Sequence, residues 1–232
     1  MYQSIKELID TATETNKPVS ELMIEQEIET SGMSREVIWA KMERNLKVME
    51  EAVKRGKSGE VVHSPTGLTG GEAVKIKHYA ETHQPLSGKA MMGAVGDAIA
   101  TNEVNAAIGI ICATPTAGSS GTMPGVLMML DHRLHLTHEQ KVRFLFAGGA
   151  YGLIIANKAC IAGTSGGCQA EVGSASGMAA AAAVETAGGT PEQCGHALAI
   201  ALANLMGRSV TWSLGWWKCH VSSGTLSVLE TP

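Results

Sequence analysis

The run Gly166-Gly167-Cys168-Gln169-Ala170-Glu171-Val172-Gly173 holds the side chain in this sequence best placed for chemistry. Cys168 closes a glycine-rich stretch, Ala162-Gly163-Thr164-Ser165-Gly166-Gly167, and precedes a segment of small residues that reads as a helix. A thiol at a helix N-terminus has a lowered pKa and is available as thiolate. Such a group serves as a nucleophile, as a metal ligand, or simply as a small buried residue, and position alone leaves all three open. Cys112 lies in the apolar run Ile110-Ile111-Cys112-Ala113 and reads as core. Cys160 and Cys194, in helical contexts, read the same way.

Two more glycine-rich loops precede this one. The first is Ser64-Pro65-Thr66-Gly67-Leu68-Thr69-Gly70-Gly71, and the second is Thr114-Pro115-Thr116-Ala117-Gly118-Ser119-Ser120-Gly121-Thr122-Met123-Pro124-Gly125. Loops of Gly and Ser/Thr that run into helices offer free backbone N–H groups at a positive dipole end, a ready seat for a carboxylate or phosphate. Gly also permits tight helix–helix turns, so one such loop alone means little. None is followed by the Gly-Lys-Ser/Thr of a phosphate-binding P-loop. Among the histidines, His63 adjoins the first loop and is the candidate acid–base residue. His132, His135 and His138 cluster about a charged turn and read as solvated.

The elements that must position these residues are helical. Ser4 and Pro18 open two short helices, and Ser34 is a candidate N-cap for a helix to about Arg55, with Val37, Ile38, Met42, Leu46, Met49 and Val53 at helical spacing. Beyond residue 60 charge thins out, and helix-like stretches span Gly88–Ala113, Val126–Leu134, His138–Lys158 and Ser174–Gly188. Thr190-Pro191-Glu192-Gln193 starts a last helix that runs to Gly207, with a Thr cap, Pro at the first helical position and acid in the first turn. The expected fold is therefore all-α, a single helical domain with its active loops at helix N-termini. Residues 1–60 supply surface helices, residues 61–207 form the binding core, and residues 208–232 form a tail of different character.

Bulk properties narrow the function. The chain has 232 residues, 44% hydrophobic and 17% charged, with 27 Gly, 12 Met and few aromatics. That suits a close-packed helical core with glycine at the junctions. A net charge of −4 gives no basic footprint, so nucleic acid is not an expected partner. The N-terminus lacks the basic-then-apolar layout of a secretory signal, and no apolar stretch is long enough to span a membrane. The cytoplasm is the expected compartment, where the five cysteines would be thiols or metal ligands rather than disulfides. Their odd number, with no Cys-x-x-Cys pair, argues against a zinc ribbon.

The run Gly167-Cys168-Gln169-Ala170-Glu171-Val172-Gly173-Ser174-Ala175-Ser176-Gly177-Met178 resembles the cluster-binding segment of iron–sulfur-dependent L-serine dehydratases. His63 through Gly71, Asn102-Glu103-Val104-Asn105-Ala106-Ala107, Thr114 through Gly118 and Ala183 through Gln193 resemble the α subunit of the two-subunit bacterial form, so the likeness covers residues 1–207. The resemblance implies a [4Fe–4S] cluster held by three cysteine thiolates, Cys168 among them, with one iron left open as a Lewis acid. It implies removal of the α-proton of L-serine, loss of the hydroxyl, and decay of the aminoacrylate to pyruvate and ammonia. It also implies a separate β subunit that helps complete the site. Thr66, Thr116 and Ser119 become the expected carboxylate contacts, and His63 the expected catalytic residue. A dehydratase of another hydroxy acid, or a non-catalytic helical subunit that only binds its β partner, are the alternatives.

The likeness stops after Gly207. The family carries its other two cluster cysteines beyond the last helix, in a segment of the type Cys-Asp through Leu-Val-Glu-Val-Pro-Cys, whereas this chain reads Arg208-Ser209-Val210-Thr211-Trp212-Ser213-Leu214-Gly215-Trp216-Trp217-Lys218-Cys219-His220. Codons shifted by one base explain the difference. Trp216-Trp217 then forces Val and Trp217-Lys218 forces Glu, while the neighbouring codons allow Leu, Val, Pro and Cys around them. Ser209 through Thr211 can likewise encode Cys-Asp. The expectation is a frameshifted tail from about residue 208 that removes two cluster cysteines, leaving a chain that is cluster-free and inactive as written.

Overall fold

The computed structural model describes residues 2–58 and 62–205, and these are helical, with no strand among them. The helices are α1 (Ile5–Thr15), α2 (Val19–Ser31), α3 (Arg35–Gly56), α4 (Glu72–Thr82), α5 (Gly88–Ala106), α6 (Thr122–Leu134), α7 (His138–Lys158), α8 (Gly163–Thr186) and α9 (Pro191–Leu205). The all-α expectation holds. None of the helices described is long and apolar enough to cross a membrane. The tail proposed to start near residue 208 lies outside the described residues.

Helix α7 is the axis of the core. Phe144, Phe146 and Tyr151 are almost wholly buried, and buried residues occur around the full circumference of the helix. A helix apolar on all sides must be enclosed, and α2, α3, α6 and α8 pack around it. Helix α8 presents Gly173, Ala175, Gly177, Ala179, Ala181 and Ala182 as buried positions. Their small side chains let α9 come close, with Leu198 and Leu202 seated over Gly177. Burial of one such leucine stabilises the fold by about 1.5–3 kcal/mol. Met123 and Met178 fill the hollows left by Gly148 and Gly152 of α7, a use suited to an unbranched, adaptable side chain.

Several starts follow their sequence signals. Ser4 caps α1 by accepting from the Glu7 N–H, and Thr137 and Gln140 form a capping box on α7. Thr190 and Gln193 exchange the same pair of bonds at the start of α9. Other boundaries differ. Helix α4 has no counterpart among the helices expected from sequence, because its stripe is weak and Ala73 is its one buried residue. Helix α5 ends at Ala106 rather than Ala113. Ile108 turns to φ 59, and the N–H groups of Ala107, Ile108 and Gly109 close onto Glu103, Asn105 and Val104. The apolar run 108–113 therefore continues as irregular chain, not helix. Helix α8 begins at Gly163, inside the third glycine loop, and is broken at Gly167 (φ 77, ψ 166). Glycine tolerates that left-handed φ without a Cβ clash, so the kink falls immediately before Cys168.

Candidate active site

The three loops take up different local structures. In the first, the Ser64 N–H donates to Thr69 O at 2.9 Å and the Gly67 N–H to Ser64 O at 2.9 Å. The Ser64 and Thr66 hydroxyls lie 3.1 Å apart. His63 pairs with Gly70 across this turn, and a Cβ on Gly70 would sit 2.1 Å from Val62 O and 2.7 Å from His63 Nδ1. The loop leads into α4, whose N-terminus is already occupied. Glu103 Oε1 accepts from the N–H groups of Glu72 at 2.6 Å and Ala73 at 3.3 Å, and Glu72 accepts from the Gly70 N–H at 3.0 Å. Burial and the neighbouring Glu72 carboxylate push Glu103 above the usual carboxylate range. The expectation that this helix start is free to seat an external anion is therefore not met at α4. Two protein carboxylates hold it.

The second loop, in the irregular chain 107–121 that ends at the start of α6, is fixed from both sides. Asn105 donates its side-chain amide to Ala117 O at 3.0 Å. Gly121 and Gly125 lie against the backbone of α5, where added Cβ atoms would be 2.2 Å from Ala98 O and 2.7 Å from Ala94 O. This contact sets the start of α6 directly on α5. Within the loop the Thr116 and Ser119 hydroxyls are 3.0 Å apart, and Ser119 Oγ also donates to Thr114 O at 3.0 Å. Thr116 Oγ1 donates to Glu171 Oε1 of α8. The two expected hydroxyls are thus brought together and joined to the helix that carries Cys168.

The third segment places Cys168 at the first position after the Gly167 kink, exposed, at the head of the long part of α8. Glu171 follows one turn later on the same face. Cys160 departs from the core expected for it: its thiol is exposed, 2.8 Å from Ser165 Oγ. The Ser165 hydroxyl, with the Ala162 backbone, holds its pKa below the ordinary thiol range. Cys112 and Cys194 keep the core assignment, the first half-buried and pushed up by burial, the second buried and pushed up to about 11 chiefly by burial.

No hydrogen bond or ion pair among the described residues joins the first loop to the other two. Hydrogen bonds thus tie Thr116 and Ser119 to the Cys168 helix, while His63 and Thr66 sit on an exposed turn that no such bond joins to it. It also adds Glu171, which sequence reasoning passed over as a mere neighbour of Cys168. One signal was available: Glu171 is the sole Asp, Glu, Lys or Arg between Lys158 and Glu185.

The family model for the serine dehydratase alpha chain matches residues 14–208. This chain belongs to that family. It is 54% identical over 207 residues to the Bacillus subtilis (strain 168) protein named "Probable L-serine dehydratase, alpha chain", a match covering 89% of this chain and 68% of that protein. It is 35% identical over 207 residues to the Peptoniphilus asaccharolyticus "L-serine dehydratase, alpha chain", covering 89% of this chain and 70% of the relative. It is 32% identical over 213 residues to the Escherichia coli (strain K12) "L-serine dehydratase TdcG", where the match spans 46% of the relative. The family is one of lyases, so the chain is of an enzyme family, and the name of its alpha chains implies a partner subunit.

A four-iron cluster bound through three protein thiolates is only partly matched by what the structure describes. Among the described residues no three His, Cys, Asp or Glu side chains are grouped to hold a metal. Cys168 is exposed and helix-headed, as an anchoring thiolate would be, but the described residues form no group of three such ligands around it. Cys219 lies outside the described residues.

Proposed function

We propose that this chain is the substrate-binding and cluster-anchoring α subunit of an L-serine dehydratase, which converts L-serine to pyruvate and ammonia. The observation that carries the reading is the convergence of Thr116 and Ser119 with Glu171 on the face of α8 headed by Cys168. The family match and the names of its relatives support the substrate. A [4Fe–4S] cluster, when bound, supplies the Lewis acid for loss of the β-hydroxyl. This chain's part is to anchor it through Cys168 and to receive the substrate carboxylate on the Thr116 and Ser119 hydroxyls, with Thr66 as a further hydroxyl from the first loop. His63 is the proposed acceptor of the α-proton. Loss of water from L-serine gives aminoacrylate, and hydrolysis of its imine tautomer gives pyruvate and ammonia. The β subunit closes the site from outside the chain, and the cytoplasm is the proposed compartment.

The same reading holds that the chain as written is inactive. A single thiolate does not retain a four-iron cluster, and the shifted-codon reading from about residue 208 accounts for the absence of the other two. The family match ends at that residue, which supports this reading and favours a second one for the written product: a helical subunit that binds its β partner without turnover. The nucleotide sequence at codon 208 checks the frame. The functional test is release of pyruvate from L-serine by the frame-restored chain with its β subunit. Activity that falls by three orders of magnitude or more in the C168S chain is expected. Activity on another hydroxy acid but not on L-serine would overturn the assignment.

A further inference from the structure

Glu171 is a carboxylate in an unusual setting. It is half-buried, and its carboxylate lies against a glycine of the second loop and a glycine of the third. A Cβ on Gly118 would lie 2.6 Å from its Oε1, and a Cβ on Gly163 would lie 2.7 Å from its Oε2. One glycine from each loop therefore makes room for this one side chain, and the Thr116 hydroxyl donates to it. Yet no Lys, Arg or His among the described residues forms an ion pair with it. The surroundings are otherwise uncharged: the stretch from Val104 to Leu130 contains no Asp, Glu, Lys or Arg, and neither does the rest of the stretch from Ala159 to Val184. A partly desolvated carboxylate without a cation is costly, and a cationic partner that arrives with a ligand removes that cost.

We propose that Glu171 is the subsite for the α-ammonium group of the substrate, and so the residue that selects α-amino acids over the corresponding 2-hydroxy acids. The inference rests on the functional reading above. Cys168 and Glu171 are three residues apart on one helix face, with Cβ atoms roughly 5–6 Å apart at that spacing, and Thr116 lies beside Glu171. A zwitterionic 3-hydroxy-2-amino acid placed there meets a hydroxyl donor for its carboxylate and a carboxylate for its ammonium within one small volume. Thr116 is the pivot. Without ligand its hydroxyl serves Glu171; with ligand it turns to the substrate carboxylate, and Glu171 exchanges that bond for one from the ammonium. A divalent cation fits less well, because the described residues offer no group of three His, Cys, Asp or Glu ligands to complete its shell.

The test follows protection of Cys168 from iodoacetamide, read by mass spectrometry of its peptide in the full chain, with L-serine or L-glycerate as the probe. L-Glycerate carries a hydroxyl in place of the ammonium. In the wild-type chain L-serine is expected to protect at about tenfold lower concentration than L-glycerate, a difference of about 1.4 kcal/mol. In E171Q that preference should vanish while L-glycerate protects as before, and E171D should restore part of it. A purely structural role for Glu171 would weaken both ligands together and leave their ratio unchanged, which would overturn the inference. Undiminished preference for L-serine in E171Q would overturn it too, while the functional reading stood. If neither compound protects the wild-type chain, the subsite is overturned, while the functional reading stands or falls on pyruvate release by the frame-restored chain with its β subunit.

Discussion

Glu171 and Glu185 lie on the same helix about four turns apart, and their surroundings differ in kind. Glu185, at the C-terminal end of α8, accepts from the N–H groups of Val19 at 2.7 Å and Ser20 at 3.1 Å. Helix α2 starts after Pro18, which offers no side-chain cap, so a residue 166 positions away supplies what the local sequence lacks. Burial pushes Glu185 above the usual carboxylate range, opposed by those two N–H groups and Ser20. Glu171 caps nothing. It takes one hydroxyl from a loop that the family resemblance marks as substrate-binding. One end of α8 is therefore committed to holding the fold together, and the other is held open by two glycines.

The largest effect that sharpens this contrast is on stability. E185A leaves the α2 N-terminus without its acceptor and should lower unfolding stability by about 2–3 kcal/mol, read as the shift in a urea midpoint at constant slope. E171A should cost less than about 1 kcal/mol, as for a partly exposed group outside the core. Equal losses would erase the distinction. The next effect is on the site. G118A and G163A place a methyl group where the Glu171 carboxylate lies, and each should weaken L-serine protection of Cys168 several-fold with a small change in the midpoint. A smaller contrast lies between an exposed thiol and a buried one. Cys160 is held below the ordinary thiol range, chiefly by the Ser165 hydroxyl, and Cys194 is pushed up to about 11. Alkylation of Cys160 should therefore reach half its limiting rate at a lower pH than that of any buried thiol, and S165A should move it upward.

The smallest effect concerns a third carboxylate. Arg35 and Arg143 hold Glu21 down at about 2, against an ordinary 4.5. A carboxylate with a lowered folded pKa contributes stability above its unfolded value and loses it as pH falls. The acid limb of the stability curve between those two values should be flatter in E21Q than in wild type. Urea midpoints measured across that window check it, and parallel curves would remove Glu21 from the account.

Much of the fold was legible because its signals are local. The caps of α1 and α9 and the span of α7 follow from hydroxyl and amide side chains and from the apolar period, which need no distant partner. The misses share a physical cause. Helix α4 buries little of its own surface, and its start is held by Glu103, some thirty positions along the chain. The end of α5 depends on Ile108 taking a left-handed conformation that its β-branched side chain disfavours. Cys160 looked like core because its context reads as helical, but the chain turns out to solvent there. In the candidate site, Thr116, Ser119 and Cys168 were singled out by loop chemistry and resemblance. Their meeting point at Glu171 was not, since it requires two loops, residues 114–121 and 163–171, to pack against each other.

The central claim is that Cys168 anchors an iron–sulfur cluster and that this chain, as written, keeps only that one anchor. Anaerobic reconstitution with iron and sulfide, followed by assay of bound iron and acid-labile sulfide, tests it most directly on three chains: the chain as written, the frame-restored chain, and the frame-restored chain carrying C168S. The expected result is a stable four-iron cluster in the frame-restored chain alone. A stable cluster in the chain as written, or one that survives C168S, would contradict the account.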